Sequence, residues 1–199
     1  MIRVLIADDQ ALLVGALSAL LELEDDITVV ATCDRGDDVA DAVRLHDVDV
    51  ALLDIEMPGR TGLQLAGDLA DSPCKVIIVT TFGRPGYLRT ALEAGASGFM
   101  VKDAPPEQLA DAVRKAHAGL RVVDPTVAEE SLFTPPSPLT PREVEVAREA
   151  LSGAEIKEIA NILHLSPGTV RNHLSSIMAK TNTKNRYAAA RLAEEKGWL

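Results

Sequence analysis

Five short apolar runs, at residues 3–7, 27–33, 49–54, 75–80 and 98–102, alternate with stretches of helical periodicity at 11–23, 36–46, 62–71, 86–95 and 106–118. Each run has the length of a strand, and each crossover of roughly 20 residues has room for one helix. The alternation predicts a doubly wound α/β fold with a five-stranded parallel sheet, since parallel strands need long crossovers and helices must cover both faces. Pro105-Pro106 opens the last of these helices and Gly119 closes it, as helix punctuation requires.

Open α/β sheets place their chemistry beyond the carboxyl ends of the strands. Here Val4-Leu5-Ile6-Ala7 runs into Asp8 and Asp9, Ala51-Leu52-Leu53 into Asp54, Val76-Ile77-Ile78-Val79 into Thr80, and Gly98-Phe99-Met100-Val101 into Lys102. Three carboxylates suit a hard divalent cation such as Mg2+, held by Asp8, Asp9 and Asp54 together with the main-chain carbonyl of Glu56. Asp54 is then the expected nucleophile, because a carboxylate forms a mixed anhydride with phosphate once a cation offsets the approaching negative charge. Lys102 would pair with one phosphoryl oxygen and Thr80 would donate to another. Thr81 competes for that role, but strand alternation lets only one of the two face the pocket. Any one of these residues alone reads as a cap or a solvated charge. The set of five at matching strand ends is what points to phosphoryl transfer.

The 199 residues are ample for two domains, and a hydrophobic content of 47% supports folded cores. The net charge of −10 is uneven: residues 1–118 hold 20 acids against 10 bases, and 119–199 hold 10 of each. From His164 to Arg191 there are five bases and no acid, so an acidic chain still offers a cationic face for nucleic acid. Cys33 and Cys74 have neither metal-ligand spacing nor a disulfide framework and read as reduced thiols. No signal segment or apolar run of roughly 18 residues is present, which predicts a cytoplasmic protein with no membrane partner.

After Gly119 the pattern decays, and Thr134-Pro135-Pro136-Ser137-Pro138 reads as a stiff extended segment. The expected division is a first domain over 1–120, a proline-rich linker over 121–137 and a small all-α domain over 138–199. In the last, Thr140-Pro141-Arg142-Glu143 carries an N-cap threonine, proline at N1 and glutamate at N3, a capping box. Helices are expected at 141–151, 155–163, 167–181 and 186–196. The run from Ile159 to Val170, with Ala160 inside one helix and Ser166-Pro167 opening the next, has helix-turn-helix spacing. On a helical wheel Val170, Leu174, Ile177 and Met178 share one face, and Gly168, Arg171, Asn172, Ser175 and Ala179 the other. Arginine and asparagine suit the base edges of a major groove, and small residues permit close approach. A solvated polar face would look the same on an isolated helix.

Asp8-Asp9, Asp54 with Met57-Pro58-Gly59, Thr80, and Gly98-Phe99 before Lys102 resemble the receiver domain of bacterial two-component response regulators. Leu139-Thr140-Pro141-Arg142-Glu143, Gly153, Ile159-Ala160, Thr169-Val170-Arg171, His173 and Asn185-Arg186 resemble the LuxR-type output domain of the NarL/FixJ family. The resemblance implies strand order 2-1-3-4-5 and magnesium-dependent transfer from a sensor histidine kinase to Asp54. It also implies coupling of Thr80 to Phe99, and binding to double-stranded promoter DNA with RNA polymerase as a further partner. Family spacing to Lys102 favours Thr80 over Thr81. Thr169, Arg171, Asn172 and Ser175 would face DNA, with Lys180, Lys184 and Arg186 on phosphates. Thr181 and Thr183 depart from the family's usual Leu and Val. Thr80-Thr81-Phe82, Arg84-Pro85-Gly86-Tyr87 and Glu195-Lys196-Gly197-Trp198 resemble a branch of the family that governs membrane lipids, implying a membrane-lipid or envelope-stress regulon. Trp198 itself reads as a C-terminal packing anchor.

The chain is thus expected to be a transcription factor rather than an enzyme, acting only in its own phosphotransfer and dephosphorylation. A phosphoester hydrolase would need an aspartate two residues after its nucleophile, where Glu56 stands, and a receiver without phosphate chemistry would not need the acidic set. Phosphorylation should drive formation of a homodimer. The apolar residues of helix 11–23 spread over an arc of roughly 220°, about twice the stripe one core face requires. Leu13 and Leu17, beside Leu109 and Val113 of helix 106–118, are the expected surface.

Overall fold

The computed structural model describes residues 1–81, 85–133 and 137–199. Phe82, Gly83 and Arg84, and Thr134, Pro135 and Pro136 of the expected linker, lie outside the described residues. The chain forms two units, which among the described residues hold 1–81 and 88–130 in the first and 85–87 and 131–199 in the second.

In the first unit, β1 (Ile2–Ala7), β2 (Ile27–Cys33), β3 (Val50–Leu53), β4 (Lys75–Thr80), β5 (Gly98–Val101) and β6 (Val122–Val123) form one sheet in the order β2-β1-β3-β4-β5-β6. Every pairing is parallel. The crossovers are α1 (Ala11–Leu21), a 3-10 turn (Gly36–Asp38) continuing into α2 (Val39–Leu45), α3 (Gly62–Asp68), α4 (Pro85–Glu93) and α5 (Pro106–His117). Strand β3 is wholly buried, as is most of β1 and β4, which explains their unbroken apolar composition.

The expected five strands become six. Val122-Val123 is too short to show a period, yet the amide of Val122 donates to Ser97 and that of Asp124 to Phe99, extending the sheet edge. Asp124 then caps α6 (Pro125–Phe133), its carboxylate accepting from the amides of Thr126 and Val127 at 2.9 and 3.3 Å. The segment expected to be linker from residue 121 therefore begins as structure.

A second correction concerns the dimer residues. Leu17, Leu109 and Val113 are buried in the core between sheet and helices, together with Ile6, Leu52 and Val79, and Leu13 packs partly buried against the same cluster. Their cause is the 3.6-residue period: Leu13, Leu17 and Leu21 form the stripe of α1 that faces the sheet. The outer stripe is Leu12, Ala16 and Ala19, followed by Leu23 just past the helix end, all exposed, with Leu12 at 90% and Leu23 at 78%.

The second unit holds α7 (Pro141–Leu151), α8 (Ile156–Ile162), α9 (Pro167–Thr181) and α10 (Arg186–Glu195). The predicted capping box is present: Thr140 accepts from the Glu143 amide and Glu143 from that of Thr140. Ser166 and Asn185 cap α9 and α10. Val146, Ile159, Val170, Leu174 and Ile177 meet in one core, against which Trp198 packs as the expected anchor. Thr181, one of the two departures from the family's residues, is buried, and its hydroxyl donates to the Ile177 carbonyl at 2.7 Å and meets the Thr183 hydroxyl at 2.9 Å.

Candidate functional site

Register builds the first site. Ala7 pairs with Leu53, so the next residues, Asp8 and Asp54, emerge side by side at the carboxyl edge, and the Asp54 amide donates to the Ala7 carbonyl at 2.9 Å. Thr80 pairs with Val101, and the Lys102 amide donates to the Thr80 carbonyl at 2.8 Å. Asp8, Asp54 and Thr80 are buried, and Asp9 is exposed at the rim. One carboxylate oxygen from each of Asp8, Asp9 and Asp54 lies within 4.8 Å of the others. These hard donors fit a divalent cation of the magnesium type. Glu56, whose carbonyl was the expected fourth ligand, lies two residues beyond Asp54 and is exposed.

The Lys102 ammonium stands 2.5 Å from Asp8 Oδ2 and 3.2 Å from Asp54 Oδ1, and its side chain is buried with theirs. Burial raises the Asp54 carboxyl to about 6, with Lys102 opposing the rise and the Asp8 charge adding to it. Asp8 is further held by the Gln10 amide at 3.0 Å. Of the two competing threonines, Thr80 is buried and Thr81 exposed. Phe99 is fully buried, and its carbonyl is the one that takes the Asp124 amide.

Two glycines make room for this edge. A side chain at Gly62 would come within 2.1 Å of the Asp54 carbonyl oxygen, and Gly59 turns with φ of 81°, where a Cβ would meet Asp37. Gly62 then lies inside the first turn of α3, which Thr61 and Gln64 close with a capping box.

The second site is α9. Val170, Leu174, Ile177 and Thr181 face the core, while Gly168, Arg171, Asn172, Ser175 and Ala179 are exposed along the opposite face. Thr169 is partly covered, its hydroxyl 2.8 Å from that of Ser166. His173 is half-buried, as a packed helix residue would be. Lys184 is exposed and Arg186 half-exposed at the start of α10. Lys180, expected on a DNA phosphate, has its ammonium 2.6 Å from the buried Glu143 carboxylate. Sequence reasoning identified Glu143 only as a helix cap, and Asp124 not at all.

A pocket of three carboxylates and an ammonium at the edge of a doubly wound sheet, followed by a helix-turn-helix unit, is the arrangement of a receiver domain joined to a DNA-binding domain. Residues 4–114 match the family described as response regulator receiver domain, and residues 137–193 the family described as bacterial regulatory proteins, luxR family. The chain belongs to the response regulators with a LuxR-type output domain and is a transcription regulator rather than an enzyme. It is 47% identical to the transcriptional regulatory protein DesR of Bacillus subtilis over the full length of both chains. It is 34% identical to the nitrate/nitrite response regulator protein NarP of Escherichia coli, covering 94% of this chain and 92% of that one. Among solved structures, the response regulator ChrA of a heme-sensing two-component system superposes with a TM-score of 0.60 at 34% identity, over 100% of this chain and 98% of that one.

Proposed function

We propose that Asp54 is the phosphoacceptor of a two-component system and that its phosphorylation by a sensor histidine kinase controls binding to promoter DNA. The observation that carries this reading is the convergence of Asp8, Asp9, Asp54 and Lys102 beside Thr80 at one sheet edge. An Asp54 oxygen attacks the phosphorus as the bond to the donor histidine nitrogen breaks, leaving an acyl phosphate on Asp54. Asp8, Asp9 and Asp54, with the Glu56 carbonyl, would hold Mg2+, which when bound would supply charge to offset the phosphoryl oxygens. Lys102 takes one phosphoryl oxygen and the Thr80 hydroxyl donates to another. Thr80 and Phe99 act as the switch pair, and the Phe99–Asp124 hydrogen bond carries a change in β5 to the start of α6.

Arg171, Asn172, Ser175 and Thr169 read base edges, and Lys184 and Arg186 meet phosphates. The phosphorylated protein pairs through the exposed stripe of α1, Leu12, Ala16 and Ala19, with Leu23 just beyond the helix, so that two α9 helices reach two half-sites. The resemblance of short segments to the membrane-lipid branch of the family supports membrane-lipid or envelope genes as targets, and a DNA ligand supports a cytoplasmic setting. Among the described residues no helix is long and apolar enough to cross a membrane. Titrating promoter fragments with protein treated with acetyl phosphate and Mg2+ tests the reading. Treatment should tighten binding of the unaltered chain and leave Asp54→Asn unchanged; equal affinities throughout would contradict phosphorylation control.

A further inference from the structure

Glu143 caps α7, but its carboxylate also reaches α9. Oε1 accepts from Ser176 Oγ at 2.6 Å, and Oε2 accepts from the Thr140 amide and from Lys180 Nζ, both at 2.6 Å. Ser176 and Lys180 stand one turn apart on α9, on the flank between the buried stripe and the exposed face of Arg171, Asn172 and Ser175. Glu143 is only 3% exposed, whereas the Lys180 side chain keeps 32% of its surface. A buried carboxylate thus has three donors on its two oxygens, one of them a cation.

We propose that Glu143 is a positioning residue for DNA binding, which holds Lys180 as an internal ion pair and so keeps its ammonium out of the set that neutralises DNA phosphates. The proposal rests on α9 being the helix that faces DNA. Handing Lys180 to a phosphate would leave the Glu143 charge buried without its cation, a costly arrangement, while an exposed phosphate contact returns little. Burial alone would raise the Glu143 carboxyl, but the bonds from Lys180, Ser176 and Thr140 outweigh it and hold it at about 2. The Glu143 carboxylate is therefore charged across all working pH. The anchor also sets the roll of α9: with Ser176 and Lys180 tied to α7, Arg171, Asn172 and Ser175 are held outward. Of the five bases between His164 and Arg191, Lys180 turns to Glu143 and Arg191 to Glu195, leaving Arg171, Lys184 and Arg186 for DNA.

The test is the salt dependence of binding by the full chain to mixed-sequence duplex DNA, for which each neutralised phosphate contributes a slope of about 0.9. Lys184→Ala should flatten the slope by one such contact, and Lys180→Met should leave it unchanged. Glu143→Gln, which keeps the side chain's shape, should steepen it by one contact, and adding Lys180→Met should restore the original value. A Lys180→Met slope as flat as that of Lys184→Ala would overturn the proposal. A second measurement needs no DNA: in nitrogen-15 NMR of lysine ammonium groups, Lys180 should give a slowly exchanging signal that Glu143→Gln abolishes. Absence of that signal from the unaltered protein would overturn the ion pair itself. Failure of the unaltered protein to bind DNA would instead contradict the role of α9, and the ammonium signal would still decide the pair.

Discussion

Lys102 sits nearer to Asp8 than to Asp54, at 2.5 Å against 3.2 Å, so one buried ammonium serves two buried carboxylates. Removing it with Lys102→Ala strands both charges. The expected cost is roughly 3 to 5 kcal/mol of stability, as for other broken buried pairs. Because a cation binding the same carboxylates favours the folded state, millimolar Mg2+ should restore part of that loss. Urea unfolding with and without Mg2+ checks both parts; a variant as stable as the unaltered chain would contradict the pairing.

The raised carboxyl of Asp54 gives a pH dependence with a definite sign. Below about 6 the group is protonated and a poor nucleophile, so its phosphorylation by acetyl phosphate should fall with decreasing pH. For stability the linkage runs the other way: the folded state binds the proton more tightly, so this contribution is present at low pH and lost as pH rises through about 6. More Mg2+ should move the midpoint of phosphorylation downward, since the cation favours the charged form. Initial rates across that range at two Mg2+ concentrations provide the check; a midpoint near the ordinary carboxylate value at low Mg2+ would contradict the burial argument.

For DNA, Arg171→Ala should cost about 1 to 3 kcal/mol on the preferred site and relax selection at one base pair. Lys184→Ala should weaken all sequences alike and reduce the salt slope. Competition assays with a panel of single-base variants separate the two. Matching sequence profiles and matching salt slopes for both variants would contradict the division between base and phosphate contacts.

Much of this was legible in the residues because periodicity and strand-end chemistry are local signals. Asp8, Asp9, Asp54, Thr80 and Lys102 each follow or end an apolar run, and parallel pairing turns that shared position into a shared place. Strand β6 was not legible, since two valines carry no period and their pairing depends on Ser97 and Phe99, over 20 positions earlier. Nor was the true exposed stripe of α1. Its composition is apolar nearly all round, so no sequence contrast marks Leu13 and Leu17 as inward and Leu12 and Leu23 as outward. The ion pair of Lys180 was not legible either, because a charge count takes no account of Glu143, 37 positions away.

The α1 stripe makes a correspondingly sharper dimer test. Leu12→Glu should leave the unphosphorylated fold unaffected, since Leu12 is almost fully in solvent, and should prevent dimers after phosphorylation. Leu13→Glu should instead destabilise the receiver, because Leu13 packs against the core. Sedimentation of the phosphorylated chains distinguishes these outcomes; a fully dimeric Leu12→Glu protein would place the interface elsewhere.

The central claim is that Asp54 receives the phosphoryl group, and the direct measurement is covalent phosphate on the intact chain after treatment with acetyl phosphate and Mg2+. The unaltered protein should gain one acid-stable, base-labile phosphoryl group per chain, located by peptide mapping at Asp54, and lose it when Mg2+ is withheld from the reaction. Asp54→Asn should gain none while keeping its folded spectrum. Equal incorporation by a folded Asp54→Asn protein would contradict the account.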